Sequence, residues 1–103
     1  MYVEYTSNNS GGEWRLKDKD WKALESVGWE VKWHKDDPYD GRERVCRALA
    51  SHAIRRDVSL NMAMQSLIAM TGCNLNDLGC HCCGPPHRFE EYDDNDNLIA
   101  SGP

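Results

Sequence analysis

Residues 79–89 read GCHCCGPPHRF, with three cysteines, two histidines and two prolines in eleven positions. No other stretch limits the fold so tightly, because donors this dense must be bridged, bound to metal or buried as thiols. Adding the preceding cysteine gives Cys73, Cys80, Cys83 and His87, a C-x6-C-x2-C-x3-H pattern. Four soft or borderline donors match a closed tetrahedral zinc site. A C-x2-C pair can place two thiolates on one ion. Gly84 then lets the chain turn, and Pro85 and Pro86 stiffen the path to His87. Cys82 and His81 are alternates for Cys73 and His87, since the donors outnumber the vertices.

The rival chemistries fit less well. The chain holds five cysteines, an odd number, and its first residues show no secretory signal, so a disulfide framework is disfavoured. An iron–sulfur cluster needs four thiolates, and the fifth cysteine, Cys46, lies far off in sequence. A redox C-x2-C opens a helix after a strand, whereas prolines follow here. A packed loop without metal is the remaining alternative. No H-E-x-x-H helix, deaminase order, phosphate loop or nucleophile elbow accompanies the cluster, so the expectation is structural zinc and no enzyme.

A chain of 103 residues suggests one domain. A core this small is marginal unless something staples it. Apolar residues make up 40% and include four tryptophans, too much for a disordered chain. No run approaches the roughly 18 apolar residues of a membrane span.

The organisation is read as a front over 1–35, a helical pair over 42–72, and the Cys/His loop with a last strand over 73–92. MYVEYT is strand-like and EWRL is a candidate second short strand. Asp18 is a candidate N-cap for KDWKALESV, with Gly28 as its stop. In WEVKW, Trp29, Val31 and Trp33 alternate against Glu30 and Lys32, the pattern of a half-buried strand. Trp21, Trp29 and Trp33 are expected in the core rather than as a stacking platform.

Residues 42–56 read as an amphipathic helix, with Val45, Leu49 and His52 or Ala53 on one stripe. Ser59 caps a second helix whose Leu60, Ala63, Met64, Leu67 and Ile68 form an apolar face, extended by Met62 and Met70. RFEEYD is read as the last strand, and the residues after it as a polar, then mildly apolar tail. The sum is an α+β domain: a small, mostly antiparallel sheet, about three helices and a zinc-stapled C-terminal loop.

Net charge is −5. Residues 42–56 hold five arginines against one glutamate, and FEEYDDND holds five carboxylates. Self-complementarity between the two is the simple reading. The alternative is a nucleic-acid-binding regulator using Arg44, Arg47, Arg55 and Arg56, which the surrounding negative charge opposes.

The order GGEWRLKDKDWKALESVGWEVKW, ALASHAIRRDVSLNMAMQSLIAMTGC, GCHCCGPPHRFEEYDDNDN resembles small uncharacterised proteins encoded by phages of actinobacteria. Trp21, Gly28, Trp29, Trp33 and the Cys80–His87 motif carry the resemblance. It implies a virion component, assembly factor or host-takeover protein, placed in the bacterial host cytoplasm or the virion. RALASHAIRRDVSLNMAM is similar to the helical pair of ribbon-helix-helix repressors. There the DNA-reading strand directly precedes the first helix, whereas HKDDPYDG intervenes here. The leading expectation is therefore a non-enzymatic module that binds protein partners, with homo-oligomers in scope.

Overall fold

The computed structural model describes residues 1–7, 16–33, 50–76 and 84–103. Within them the chain is α+β: one five-stranded antiparallel sheet and two helices. The elements are β1 (Tyr2–Ser7), α1 (Asp18–Ser26), β2 (Glu30–Trp33), β3 (Ala50–Arg56), α2 (Leu60–Thr71), β4 (His87–Tyr92) and β5 (Leu98–Gly102). The order across the sheet is β2-β3-β1-β4-β5. Strand β1 is thus central, with Tyr5 opposite Ala53 on one side and Phe89 on the other.

Alternation in β1 sends Val3, Tyr5 and Ser7 to the buried face, and Tyr2, Glu4 and Thr6 to the other. Both helices pack on the Tyr5 face. Trp21 of α1 lies 5.6 Å from the Tyr5 ring and Trp29, just before β2, lies 6.4 Å away, edge-on. Ala63 and Leu67 of α2 complete this core with Leu16, Leu24, Leu75 and Phe89. Trp33 is only partly buried, and its Nε1 donates to Glu25 at 2.9 Å.

The helix ends follow from local chemistry. The N-cap of α1 is Lys17, one residue before the expected Asp18. Asp20 Oδ2 accepts from the Lys17 backbone N–H at 3.0 Å, and Asp18 and Asp20 place negative charge on the first turn. Gly28 follows the C-cap Val27 with φ +104, the stop expected from the sequence. Ser59 caps α2 by accepting from Met62 N, and Gly72 ends it at φ 70. Glu91, nearly buried on β4, accepts from the Leu60 N–H at 2.6 Å. A second free donor of the α2 N-terminus is thereby satisfied from the sheet.

Four expectations are corrected. Residues 50–56 are strand, not the second half of a helix, because they complete ladders with β1 and β2. Only two helices occur among the described residues, not about three. RFEEYD is not the last strand: the tail folds back as β5 through a turn in which Asp93 Oδ1 accepts from Asn95 and Asn97 N–H at 2.8 and 2.9 Å. Ile68 does not face the core and is more than a third exposed, as is Met62. Residues 13–15 of EWRL, residues 42–49 with Arg44, Cys46 and Arg47, and Cys80, His81, Cys82 and Cys83 lie outside the described residues. Among the described residues, no helix is long and apolar enough to cross a membrane.

Gly28 shows how tightly α1 is joined to the sheet. A Cβ placed there would lie 2.3 Å from Arg55 Nη1, which donates to the Gly28 carbonyl at 3.2 Å. Gly28→Ala is expected to lower stability by about 1–2 kcal/mol, the scale of a left-handed residue with a Cβ. Urea unfolding followed by tryptophan fluorescence measures it, and an unchanged midpoint would show that the turn relaxes.

Candidate metal centre and sheet edge

Two of the four expected zinc ligands are described. Cys73 follows the end of α2, and His87 opens β4. His87 is 1% exposed. Its Nδ1 lies 2.7 Å from the Tyr5 hydroxyl, and the two rings stack at 5.9 Å. Pairing register explains the placement: His87 sits opposite Ser7, and Phe89 opposite Tyr5, all on the buried face.

A polar cluster therefore closes one end of the core. Burial pushes the Tyr5 phenol far above its ordinary value, a hydrogen bond with Ser7 opposes the shift, and charge on Cys73 and Asp20 would add to it. Cys73, just beyond the end of α2, is the other described donor. Its own thiol is half-buried, and burial pushes it up, while the Thr71 hydroxyl acts in the opposite direction. A metal ion bound there would have to displace the thiol proton.

These two donors are of the kind zinc takes, a soft thiol and a buried imidazole. Both flank the segment that carries Cys80 and Cys83 in the sequence. Among the described residues, no group of three or more His, Cys, Asp or Glu is arranged to hold a metal ion.

Of the four arginines of the alternative reading, Arg55 and Arg56 are described, and they lie on strand β3 rather than on a helical face. Arg55 reaches back to Gly28, and Arg56 pairs with Glu30 at 2.7 Å and lies 5.8 Å over the Tyr2 ring. Arg56 belongs to the sheet face opposite the helices. There Tyr2 stacks on Tyr92 at 5.1 Å, and His52 Nε2 lies 3.3 Å from Glu4. The Tyr92 phenol is pushed up to about 12, first by its hydrogen bond to Glu90 and then by desolvation. A cleft of about 690 Å³ runs beside β5, between Thr6, Arg88, Glu90 and Leu98.

The two edges of the sheet differ. Strand β2 carries Glu30 and Lys32 with a bulge between Val31 and Trp33, features that discourage edge pairing. Strand β5 reads LIASG, without a charge, and Leu98 and Ile99 are 56% and 54% exposed. Composition hid this strand, since the tail looked merely polar and then mildly apolar. The available signal was the DDNDN turn between HRFEEY and LIASG.

No known family model, curated protein or solved structure matches the chain.

The turn that presents β5 has a pH limit. The Asn97 backbone N–H is the main cause holding the Asp93 carboxyl below its ordinary value, despite some desolvation. A depressed carboxyl stabilises above the unfolded value of about 3.9, and that contribution is lost as pH falls through the lower folded value. The Asn95 and Asn97 amide signals should therefore hold through pH 4 and move only below it. Movement centred above pH 4 would contradict the turn.

Proposed function

We propose that this chain is a non-enzymatic assembly module that pairs with a second copy of itself along β5, its core end stapled by structural zinc. The observation that carries the reading is the uncharged, exposed edge of β5, set against a β2 edge that carries Glu30 and Lys32. Main-chain groups of such an edge provide affinity by strand addition, and the outward side chains provide selectivity.

A second copy suits this edge. Antiparallel pairing about a two-fold axis sets Ala100 opposite its own copy, so one strand serves both sides. The same arrangement brings the acidic turn of Asp93, Asp94 and Asp96 toward the other copy's Arg88 end, because Phe89 pairs with Gly102 at the far end of β5. Arg88 is exposed and available for that approach. The resemblance to small phage-encoded proteins supports an assembly setting, in the particle or in its construction.

Zinc has a separate role in this reading. Cys73, Cys80, Cys83 and His87 would hold the ion, tying the end of α2 to the start of β4. Structural zinc contributes on the order of 10 kcal/mol to small metal-dependent folds.

Two measurements test the proposal. Sedimentation velocity of the purified chain should show a concentration-dependent dimer, and Ile99→Lys should leave a folded monomer. A monomer at all accessible concentrations, or an Ile99→Lys variant that still dimerises, would reject β5 pairing. Elemental analysis of protein purified without chelator should give close to one zinc per chain. A content below about 0.2, with melting unchanged by chelator, would reject the staple.

A further inference from the structure

The cleft of about 690 Å³ beside β5 is lined by Thr6, Arg88, Glu90, Leu98, Ser101 and Pro103 among others. Pairing register puts Thr6, Arg88 and Glu90 on the sheet face opposite the helices. The charges in the cleft are unevenly committed. Glu90 accepts from the Tyr92 hydroxyl, whereas Arg88 is exposed and has no hydrogen bond or ion pair among the described residues. Arg55 and Arg56, by contrast, are both engaged within the chain. We infer that this cleft is the seat for the β4–β5 turn of a second copy, in which Arg88 pairs with Asp96 of that copy and the reciprocal pair forms across the two-fold axis. The inference rests on the β5 pairing proposed above and adds the side-chain contact that selects its register.

The geometry follows from register. Antiparallel pairing centred on Ala100 sets Leu98 of the second copy opposite Gly102, and Asn97 opposite Pro103. Asp96 then lies just past the end of β5. Arg88 sits at the same end of the sheet, one residue before Phe89, which pairs with Gly102. Arg88 and the second copy's Asp96 are two strand spacings apart, about 10 Å between backbones. An arginine and an aspartate side chain close that gap between them. The carboxylate is also turned the right way. The Tyr2 hydroxyl donates to Asp96 Oδ1 at 3.0 Å, which draws it to the face that carries Tyr2 and Arg88 and leaves Oδ2 for a second donor. A two-fold axis perpendicular to the sheet keeps that face of both copies on one side. Leu98 of the second copy, 56% exposed in the single chain, comes to rest at the rim formed by Gly102 and Pro103.

The contact discriminates among strand pairings. The main chain of LIASG offers its groups to any strand, so the backbone alone chooses neither direction nor register. In a parallel arrangement the two acidic turns, each with Asp93, Asp94 and Asp96, lie side by side and repel. A slip of two residues moves every contact by about 7 Å along the strand and parts each Arg88 from its carboxylate. Two chains of net charge −5 repel on average, and a local pair of opposite charge gives their encounter a preferred orientation.

Sedimentation velocity of the full chain reads the dimer Kd. Arg88→Glu and Asp96→Lys should each raise it roughly 10-fold or more, because an exposed attraction becomes a repulsion and the two-fold axis counts the change twice. An equal mixture of the two variants should return Kd to near the wild-type value, since both ion pairs re-form in the mixed dimer with their signs exchanged. Asp96 has φ 63, where lysine is strained and asparagine is not. Asp96→Asn is therefore the second probe, and loss of the charge alone should raise Kd by about 2–5-fold. If Asp96→Lys does not fold, Asp96→Asn decides, and an unchanged Kd overturns the pair. Folded single variants that dimerise like wild type, or a mixture that recovers nothing, overturn the seat in the cleft. The β5 pairing then still stands, provided that wild type dimerises and Ile99→Lys does not. A wild-type chain that stays monomeric overturns both.

Discussion

Tyr5 is where the constraints of this fold meet. It occupies the central strand, paired on both sides, so its position cannot shift without moving β3 and β4 together. Its ring contacts Trp21, Trp29, Phe89 and His87, which brings α1, the start of β2 and β4 onto one side chain. A ring this large and fully buried contributes a substantial share of a small core, since burial scales with apolar area. Its hydroxyl then has to be satisfied inside that core, because an unpaired buried polar group costs about 1–3 kcal/mol. The packing that stabilises the sheet thus creates the polar end where Ser7 and His87 gather.

The local signals that survived folding were those with short range. Ser59 and Gly28 act on the residues beside them, and the structure places each at a helix end. The alternation in MYVEYT and RFEEY was equally readable, because one buried face imposes a period of two on any strand. The segment ALASHAIRR misled for a physical reason. Alanine and arginine are good helix formers, yet the preference is worth only tenths of a kcal/mol per residue. Strands β1 and β2 offer hydrogen-bond ladders on both sides of residues 50–56, and that gain exists only once distant parts of the chain are assembled. Small Ala50 and Ala53 then fit under the large rings on the buried face.

The candidate site divides in the same way. Spacing alone singled out Cys73 and His87 as donors, and the structure sets His87 against the Tyr5 hydroxyl and Cys73 just beyond the end of α2. Tyr5 itself could not be found from spacing, because its relation to His87 depends on the register of β1 with β4. Edge status is likewise a property of the whole sheet. LIASG became informative only when the strand order put it outermost and left Leu98 and Ile99 in solvent.

A small sheet must end somewhere, and its two ends were given different chemistry. At β2, charge and a bulge make approach by another strand unfavourable. At β5 no charge is present; its pairing with β4 shifts register once, between Glu91 and Tyr92, and the strand is held by β4 on one side and by α2 above Gly102, where Met64 and Leu60 leave room for no more than a close van der Waals contact. An edge that is rigid on its inner side and uncharged on its outer side lowers the entropic cost of adding a strand, because its own backbone is already ordered. The same rigidity depends on β4, which His87 begins and Glu91 ties to α2. Anything that fixes His87 therefore acts along β4 on the presentation of β5, so the buried core end and the open edge at the rim belong to one mechanical unit.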